Sequence, residues 1–322
     1  MGARQWLRTL GGNCGAVRDQ AGFFAVRARP HRAASKRESV ATVIGQSGAW
    51  RRIVGDLAQR GHTVSIPQEL HPLLAELEDT RPKKMDARRE QTARAVQDRA
   101  TRMDALAVER RFFRRFLNWF RIRGLKTEIA ALYKADSNYS SALDETITHV
   151  RSLLESVELA GANAELAVIE CLRALPSSAI VFNDIQLRAT RFIQFEGKAL
   201  MSAQIDHVVL TPAGVFVIET KYWSPRFVES GNFFDPFEQV SRASYLCYDL
   251  LRETFGKTRV RSIIACFGKL PEAPRGSYIK VVRPESLTTF ISGFRSVELS
   301  ASRLSELRSF FEHQLDSRSS AA

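Results

Sequence analysis

Two strongly apolar segments, Ala203–Leu210 and Val215–Lys221, are separated by only four residues, Thr211-Pro-Ala-Gly214. Proline at the first central position of such a tetrapeptide and glycine at its end are typical of a tight β-turn. The flanking residues are mostly β-branched or otherwise apolar, as they are in strands. Because both alternating sets of side chains are apolar, we expect a β-hairpin that is buried on both faces inside a larger fold.

Three charged side chains lie near the open end of this predicted hairpin. With the turn centred on its two middle residues, Asp206 falls opposite Glu219, and Gln204 falls opposite Lys221. Side chains two residues apart along a strand share a face. Asp206, Glu219 and Lys221 are therefore predicted to project from one face at one end of the hairpin.

Opposed carboxylates inside a sheet need a counter-charge, because like charges directly across two strands destabilise the pairing. A divalent cation is one solution, and an oxygen-rich site of this kind suits Mg²⁺ or Mn²⁺. Lys221 could then orient an attacking water or help to deprotonate it. The plainer alternative is an exposed ion pair between Glu219 and Lys221, worth less than ~1 kcal/mol. We favour the functional interpretation, because a strand buried on both faces seldom carries charges without a use.

The second half of the chain has the pattern of a mixed α/β domain. Strands are predicted at residues 179–187, 203–210, 215–221, 260–267 and 278–282. Helices are predicted at residues 164–175, 237–254, 286–291 and 301–315. A mixed β-sheet flanked by helices is the fold that this order of elements indicates.

The first half of the chain is predicted to be mainly helical. Its predicted helices cover residues 49–60, 82–123 and 141–159, and the second is long enough for an amphipathic or coiled-coil helix. Three glycines are expected to end or interrupt these helices: Gly61, Gly124 and Gly161. Ser141 and Asp144 are expected to form a capping box at the start of the third helix.

The net charge of +12 is concentrated in the N-terminal part of the chain. Residues 1–126 carry 26 Lys+Arg against 12 Asp+Glu, whereas residues 127–322 carry 21 against 23. Such asymmetry indicates contact with a polyanion, either nucleic acid or an anionic membrane surface. A solvated helical surface that is rich in arginine explains the same numbers equally well.

A basic and aromatic stretch at residues 110–123 is the second candidate for a binding function. Its arginines are candidates for contacts with nucleic-acid phosphates: Arg110, Arg111, Arg114, Arg115, Arg121 and Arg123. Packing of its aromatic residues on another part of the protein is the leading alternative. Contact with an anionic bilayer is the least favoured of the three.

Composition excludes several other classes of protein. No run approaches 18 consecutive apolar residues, so no transmembrane helix is predicted. The four cysteines are far apart and form no Cys-x-x-Cys pair, which argues against a zinc ribbon and a disulfide scaffold. A reducing, cytoplasmic setting fits this cysteine usage best.

Six short motifs in the second half together resemble the NERD (nuclease-related) domain, a family of the PD-(D/E)XK nuclease-like superfamily. They are Gly161-x-x-x-Glu165, Leu172-Arg-Ala-Leu-Pro176, Phe182-Asn-Asp-Ile185, Gln204-Ile-Asp-His-Val-Val-Leu210, Gly214-Val-Phe-Val-Ile-Glu-Thr-Lys-Tyr-Trp223 and Asp235-Pro-x-x-Gln239. The resemblance extends from about residue 161 to residue 291. It implies a restriction-endonuclease-like fold and cleavage of phosphodiester bonds, with DNA as the expected substrate.

The resemblance also implies a role for each residue of the site. Asp206 and Glu219 would ligate Mg²⁺ or Mn²⁺, and Glu165 would join the metal site from the preceding helix. Lys221 would position or stabilise the attacking hydroxide, and Gln239 would complete the site from the following helix. His207 and Asp184 lie within the motifs, but we expect the first to be a packing residue and the second a turn or surface acid.

Four segments and two functions are thus expected from the sequence. The segments are a basic, disordered arm at 1–48, a basic helical region at 49–160, a nuclease-like domain at 161–295, and a C-terminal helix and tail at 296–322. The favoured function is that of a metal-dependent nuclease. The alternative is an inactive nuclease fold that binds DNA, or acts as a scaffold, through helices 49–160, which also offer a surface for homo-oligomers.

Overall fold

The structure is a computed structural model that describes residues 16–18, 24–26, 40–108, 112–223, 235–269 and 271–319. It divides into two compact units, one formed by Met1–Asp56 with Val157–Ala322 and the other by Leu57–Ser156. Within the described ranges, no helix is both long enough and apolar enough to cross a membrane.

Strands and helices alternate along the first unit, and two long helices make up most of the second. The strands are β1 (Ala16–Arg18), β2 (Phe24–Val26), β3 (Thr42–Ile44), β4 (Ile180–Phe195), β5 (Lys198–Thr211), β6 (Gly214–Trp223), β7 (Val260–Gly268) and β8 (Lys280–Val282). The helices are α1 (Gly48–Gln59), α2 (Leu70–Ala107), α3 (Phe112–Leu154), α4 (Val157–Arg173), α5 (Pro236–Phe255), α6 (Pro284–Ser292) and α7 (Ala301–Ser319). A short 3₁₀ helix, Pro67–Glu69, precedes α2.

A six-stranded mixed sheet with the order β3-β4-β5-β6-β7-β8 forms the centre of the first unit. Strands β4, β5 and β6 are antiparallel neighbours, whereas β3, β7 and β8 each run parallel to the strand beside them. Strands β1 and β2 form a separate antiparallel pair. The mixed sheet flanked by helices confirms the fold class predicted from the sequence.

Helices cover both faces of this sheet. Val208 and Val217 belong to one apolar cluster, which includes residues of α5 and α7. Val209 and Phe216 belong to a second cluster, which includes residues of α4 and α6. The central hairpin is therefore buried on both faces, as its two apolar sets of side chains predicted.

The hairpin between β4 and β5 is longer than the sequence indicated, since β4 continues to Phe195 and β5 begins at Lys198. Its two-residue turn contains Glu196 and Gly197, with φ angles of 48° and 76°. Two consecutive residues with positive φ form the turn type that matches the twist of paired strands. Exposed polar residues obscure the strand pattern here, although Ile193 and Leu200 of this ribbon are buried in the apolar core.

Residues 57–156 form an antiparallel helical hairpin in which α2 and α3 lie side by side. Ion pairs link the two helices at successive levels: Arg151–Glu78 at 2.6 Å, Arg81–Asp144 at 2.5 Å, Arg88–Asp136 at 2.8 Å and Arg99–Glu128 at 2.8 Å. The prediction of one continuous helix at 82–123 is therefore wrong, because α2 ends at Ala107 and α3, which begins at Phe112, runs antiparallel to it.

Two further predictions for the helical region are also wrong. Helix α3 runs through Gly124 and Ser141 without interruption, and Asp144 binds Arg81 instead of capping a helix. Helix α4 likewise begins at Val157 and runs through Gly161. A glycine inside a helix costs only about 1 kcal/mol relative to alanine, which tertiary contacts outweigh.

The boundary expected after residue 48 needs a correction as well. Thr42–Ile44 form β3 and pair with Ile180–Phe182 of β4, so part of the expected arm belongs to the main sheet. Residues 40–48 of the expected arm and the strands β1 and β2 are described, and its other residues lie outside the described part of the chain. The compact units also place residues 157–160 with the sheet, four positions before the boundary expected at 161.

Candidate active site

The predicted register of the β5–β6 hairpin is confirmed up to the edge of the site. Val208 pairs with Val217, and the last pair of the ladder is His207 with Ile218. Asp206 and Glu219 follow directly after that pair, so they lie where the two strands stop pairing. The expected pair between Gln204 and Lys221 is absent from the ladder, because β6 continues instead along β7.

Lys221 joins the ends of two other site residues. Its ammonium lies 2.6 Å from Glu219 Oε1 and donates to Gln239 Oε1 at 2.9 Å. Gln239 Nε2 donates in turn to Glu219 Oε1 at 2.5 Å. Glu219 is almost fully buried, whereas Lys221 is partly exposed. The three side chains therefore form a closed hydrogen-bonded ring at the start of α5.

Asp206 is held by the backbone of the neighbouring strand, since Thr220 N–H donates to its Oδ2 at 2.7 Å. Burial raises the pKa of Asp206 well above its ordinary value, and the charges of Glu219 and Glu165 raise it further. Lys221 and the Thr220 hydrogen bond act in the opposite direction. Burial also raises the pKa of Glu219, against the lowering effect of Lys221.

Glu165 reaches the same acidic cluster from α4. Its Oε2 accepts hydrogen bonds from Ser47 Oγ at 2.7 Å and from Ala49 N–H at 3.2 Å. Ser47 lies in the turn between β3 and α1, and Ala49 is the second residue of α1. The sequence analysis assigned Ser47 to the arm. The structure thus brings together all five site residues that were predicted from the sequence.

The three carboxylates offer oxygen atoms of the kind that a hard divalent cation prefers. Each has one oxygen in a hydrogen bond: Glu165 Oε2, Asp206 Oδ2 and Glu219 Oε1. Their second oxygens have no hydrogen-bond partner within the described part of the chain. No three acidic, histidine or cysteine side chains in that part converge closely enough to hold an ion as they stand. The donor atoms therefore fit Mg²⁺ or Mn²⁺, and binding would have to draw the carboxylates closer together.

A buried polar network supports Asp206 from the opposite face of the sheet. His207 Nδ1 is 2.8 Å from Asn183 Oδ1, and His207 Nε2 is 3.0 Å from Thr220 Oγ1. Burial lowers the pKa of His207 to about 3, so the ring is neutral near pH 7. Because Thr220 also donates to Asp206, this network fixes the strand that holds the acid. His207 is a buried residue, as expected, but its hydrogen-bonding role was missed.

Asp184 is buried, so its assignment as a turn or surface acid is wrong. Its carboxylate lies 2.5 Å from Arg51 Nη2 and accepts a hydrogen bond from Gln204 Nε2 at 2.6 Å. It also lies against Gly48 at the start of α1, where an added Cβ would be 2.6 Å from the carboxylate. Asp184 has a φ of 57°, an unusual conformation for a residue other than glycine. These contacts fasten α1 to the sheet beside Asp206.

The predicted nucleic-acid-binding arginines belong to the helical hairpin. Arg114, Arg115, Arg121 and Arg123 are exposed on α3. Arg110 and Arg111 lie outside the described residues. Phe116, Leu117, Trp119 and Phe120, which lie between these arginines, are exposed too, so within the hairpin these four do not form the packed surface that was the leading alternative.

Comparisons with known proteins bear on the first unit. Residues 160–267 match the family model described as "Nuclease-related domain", NERD. No curated protein matches the chain. Protein VC1899 from Vibrio cholerae, a crystal structure, matches with 12% sequence identity and a TM-score of 0.25 over 52% of this chain and 36% of that one. That match spans little more than a third of the other chain and is too weak to support a conclusion.

The matched segment contains all five predicted residues of the acidic site, Glu165, Asp206, Glu219, Lys221 and Gln239, but not the predicted nucleic-acid-binding arginines. The sequence motifs, the mixed sheet flanked by helices and the family match thus agree on the same part of the molecule. Residues 160–267 are thus similar to the nuclease-related domain family, and the rest of the chain lies outside that match.

Proposed function

We propose that the protein is a metal-dependent nuclease that hydrolyses phosphodiester bonds, with DNA as its substrate. The observation that carries this proposal is the acidic cluster of Glu165, Asp206 and Glu219, gathered around one lysine at the end of the central hairpin. Three acids share one nearby ammonium, so the cluster has an excess of negative charge. Perturbed acids of this kind are typical of functional sites.

A cation would offset the burial, and the repulsion from Glu219 and Glu165, that raise the pKa of Asp206. Asp206 and Glu219 would hold Mg²⁺ or Mn²⁺, with Glu165 as the third ligand. The chemistry that such an ion supplies when bound is polarisation of the scissile phosphate and acidification of a water molecule. The unpartnered second oxygens of the three carboxylates support this assignment.

Lys221 and Gln239 would act on the phosphate side of the reaction. The Lys221 ammonium is held by Glu219 and Gln239, which fixes its position and leaves further N–H donors on the same nitrogen. A fixed positive charge stabilises the negative charge that grows on the phosphate during hydrolysis. Gln239 sets the position of both partners, since it accepts from Lys221 and donates to Glu219.

One observation favours the alternative of an inactive nuclease fold. The Lys221 ammonium already neutralises Glu219, and the described acids do not converge on one point. A protein that binds DNA or acts as a scaffold would need no more than this arrangement. Within the described ranges, neither Glu165 nor Asp206 forms an ion pair with a basic side chain, and we therefore favour the nuclease.

The proposal is tested by incubating the purified full-length protein with linear, circular and single-stranded DNA, with Mg²⁺, Mn²⁺ or EDTA. Asp206→Asn and Glu219→Gln should lower the cleavage rate at least about 100-fold, because each removes a charge from the reacting site. Glu165→Gln should also lower it. Glu170→Gln is the matched control, because Glu170 lies on the same helix, is exposed and pairs with Arg173.

Calorimetric titration with Mg²⁺ separates the two candidate functions. A nuclease should bind the ion, and the Asp206→Asn variant should bind it more weakly. Undiminished cleavage by both the Asp206 and the Glu219 variant would overturn the assignment of the site. A wild-type protein that neither binds Mg²⁺ nor cleaves DNA would leave the scaffold as the better account.

A further inference from the structure

The far end of the helical hairpin carries a cluster of large apolar side chains on its outer surface. Phe116, Leu117, Trp119 and Phe120, which we call the tip patch, are exposed to 60%, 56%, 52% and 53%. They lie within five consecutive residues of α3. Contiguous apolar surface of this kind is uncommon on soluble proteins and marks a site of interaction.

The tip patch faces away from the other helix of the hairpin. At this level the contact with α2 is made by Asn118, which is buried and donates to Leu106 O at 2.9 Å. The residues on either side of Asn118 therefore project outward. Packing between α2 and α3 leaves the tip patch uncovered.

Positive charge surrounds the tip patch. Residues 99–128, which include the end of α2 and the start of α3, carry nine Lys+Arg against three Asp+Glu. Arg115, Arg121 and Arg123 are exposed on the same stretch of α3 as the patch. The surface is thus apolar and cationic together, and its partner should be apolar and anionic.

The aromatic rings are not arranged to stack on nucleic-acid bases. Phe116 and Trp119 both meet Phe120 edge to face, with interplanar angles of 85° and 82°. The Arg123 guanidinium lies 5.6 Å from the centroid of the Trp119 ring. Stacking of bases requires parallel ring faces presented along a strand, whereas these rings meet one another edge to face and Arg123 lies over Trp119.

Two other partners fit the tip patch less well. Duplex DNA offers phosphates to the arginines, but its charged surface does not remove four large apolar side chains from water. A second copy of the chain would bring two strongly cationic ends together, and like charges repel. A bilayer surface with anionic headgroups meets both requirements, since aromatic residues enter the interfacial zone while arginines contact the headgroups.

We propose that the tip patch binds an anionic lipid bilayer. Trp119, Phe120 and their neighbours enter the interface between headgroups and acyl chains, and the adjacent arginines bind the headgroups. The contact is peripheral, because no described helix can cross a membrane. This proposal does not depend on the nuclease activity, since the patch lies in the unit 57–156 and the acidic cluster lies in the other unit.

Sedimentation of the full-length protein with vesicles tests the proposal. Vesicles that contain phosphatidylglycerol and phosphatidylcholine should carry down the protein, whereas pure phosphatidylcholine vesicles should retain much less. The double variant Trp119→Ser/Phe120→Ser should bind the anionic vesicles at least about tenfold more weakly, because burial of aromatic area contributes directly to partitioning. Arg115→Gln and Arg121→Gln should each weaken binding about fivefold at low salt.

Tyr133→Ser is the matched control, because Tyr133 is exposed to 58% on the same helix but lies outside the tip patch. Its binding should equal that of the wild-type protein. Unchanged vesicle binding by the Trp119/Phe120 double variant would overturn the proposal. A homodimer seen by light scattering and abolished in the double variant would also overturn it. The same holds if the protein binds oligonucleotides through Trp119 and Phe120 and does not bind vesicles.

Discussion

Asp206 lies near two other carboxylates, and Lys221 and the Thr220 N–H offset their repulsion only in part. Burial raises its pKa first, and Glu219 and Glu165 raise it further, while Lys221 and the Thr220 N–H oppose them. A group whose charged form is disfavoured in the folded state lowers stability at the pH where it must ionise. Asp206 and Glu219 therefore represent a cost that a purely structural site would not need.

Asp206→Asn should stabilise the metal-free protein. The folded-state pKa of Asp206 lies above its unfolded value, so the wild-type protein loses stability as pH rises through that range. Asparagine has no such titration, and its Oδ1 can still accept the Thr220 hydrogen bond. We expect a gain of about 0.5–2 kcal/mol at pH 7.5, the usual size for relief of such a site.

Urea denaturation in EDTA at pH 7.5 and pH 4.5 measures this gain. The gain in stability should be smaller at pH 4.5, because a larger fraction of wild-type Asp206 is protonated there. An Asp206→Asn variant that is less stable than the wild-type protein at pH 7.5 would contradict the electrostatic account. Glu170→Gln serves again as the exposed control.

The sequence was sufficient to predict the residues of the site that lie on adjacent strands. A turn signal and a period of two place Asp206, Glu219 and Lys221 together by arithmetic on the hairpin. The contacts of Ser47 and Asp184 could not be found in this way, because Ser47 and Glu165 are 118 residues apart. The available signal was the β-branched run Thr42–Ile44, which marks an ordered strand inside a segment assigned to an arm.

Among the helices, periodicity predicted the existence of each element better than it predicted its ends. The chain reverses between Ala107 and Phe112 without a glycine or proline there, so the residues gave no local signal of a turn. The ion pairs that fix the hairpin, such as Arg81 with Asp144, join residues 63 positions apart. Glycine, by contrast, is a poor predictor of helix ends here, since Gly124 and Gly161 both lie inside helices.

Two glycines at helical positions should respond to the same substitution in opposite directions. Gly124→Ala places a Cβ in open space in the interior of α3 and should stabilise the protein by about 0.5–1 kcal/mol. Gly48→Ala at the start of α1 places a Cβ 2.6 Å from the Asp184 carboxylate and should destabilise it. The expected loss is about 1–3 kcal/mol, which is typical of overpacking.

Thermal denaturation of the two variants checks this pair of predictions. Equal effects of the two substitutions would show that α1 is not fastened to the sheet through Asp184. The Gly48→Ala variant should also cleave DNA more slowly, if the nuclease proposal holds, since its neighbours Ser47 and Ala49 hold Glu165.

At the scale of the whole molecule, the chain builds its sheet from two distant segments. Residues 1–56 and 157–322 form one compact unit, and residues 57–156 form the other. The sequence indicated a basic helical half followed by an α/β half, which follows the charge distribution. It could not show that β3 and the start of α1, both from the first half, belong to the unit that contains the sheet, because their placement depends on long-range contacts.

A matched pair of core substitutions tests whether the two units unfold independently. Leu77 in α2 is 4% exposed and Leu246 in α5 is fully buried, so replacing either with alanine should cost about 2–5 kcal/mol. Since each leucine is packed within a different unit, Leu77→Ala should reduce amide protection in α2 and α3. Leu246→Ala should reduce it in the sheet and in α5. Hydrogen exchange followed by mass spectrometry resolves the two patterns, and loss of protection throughout the molecule in either variant would mean that the two units fold as one.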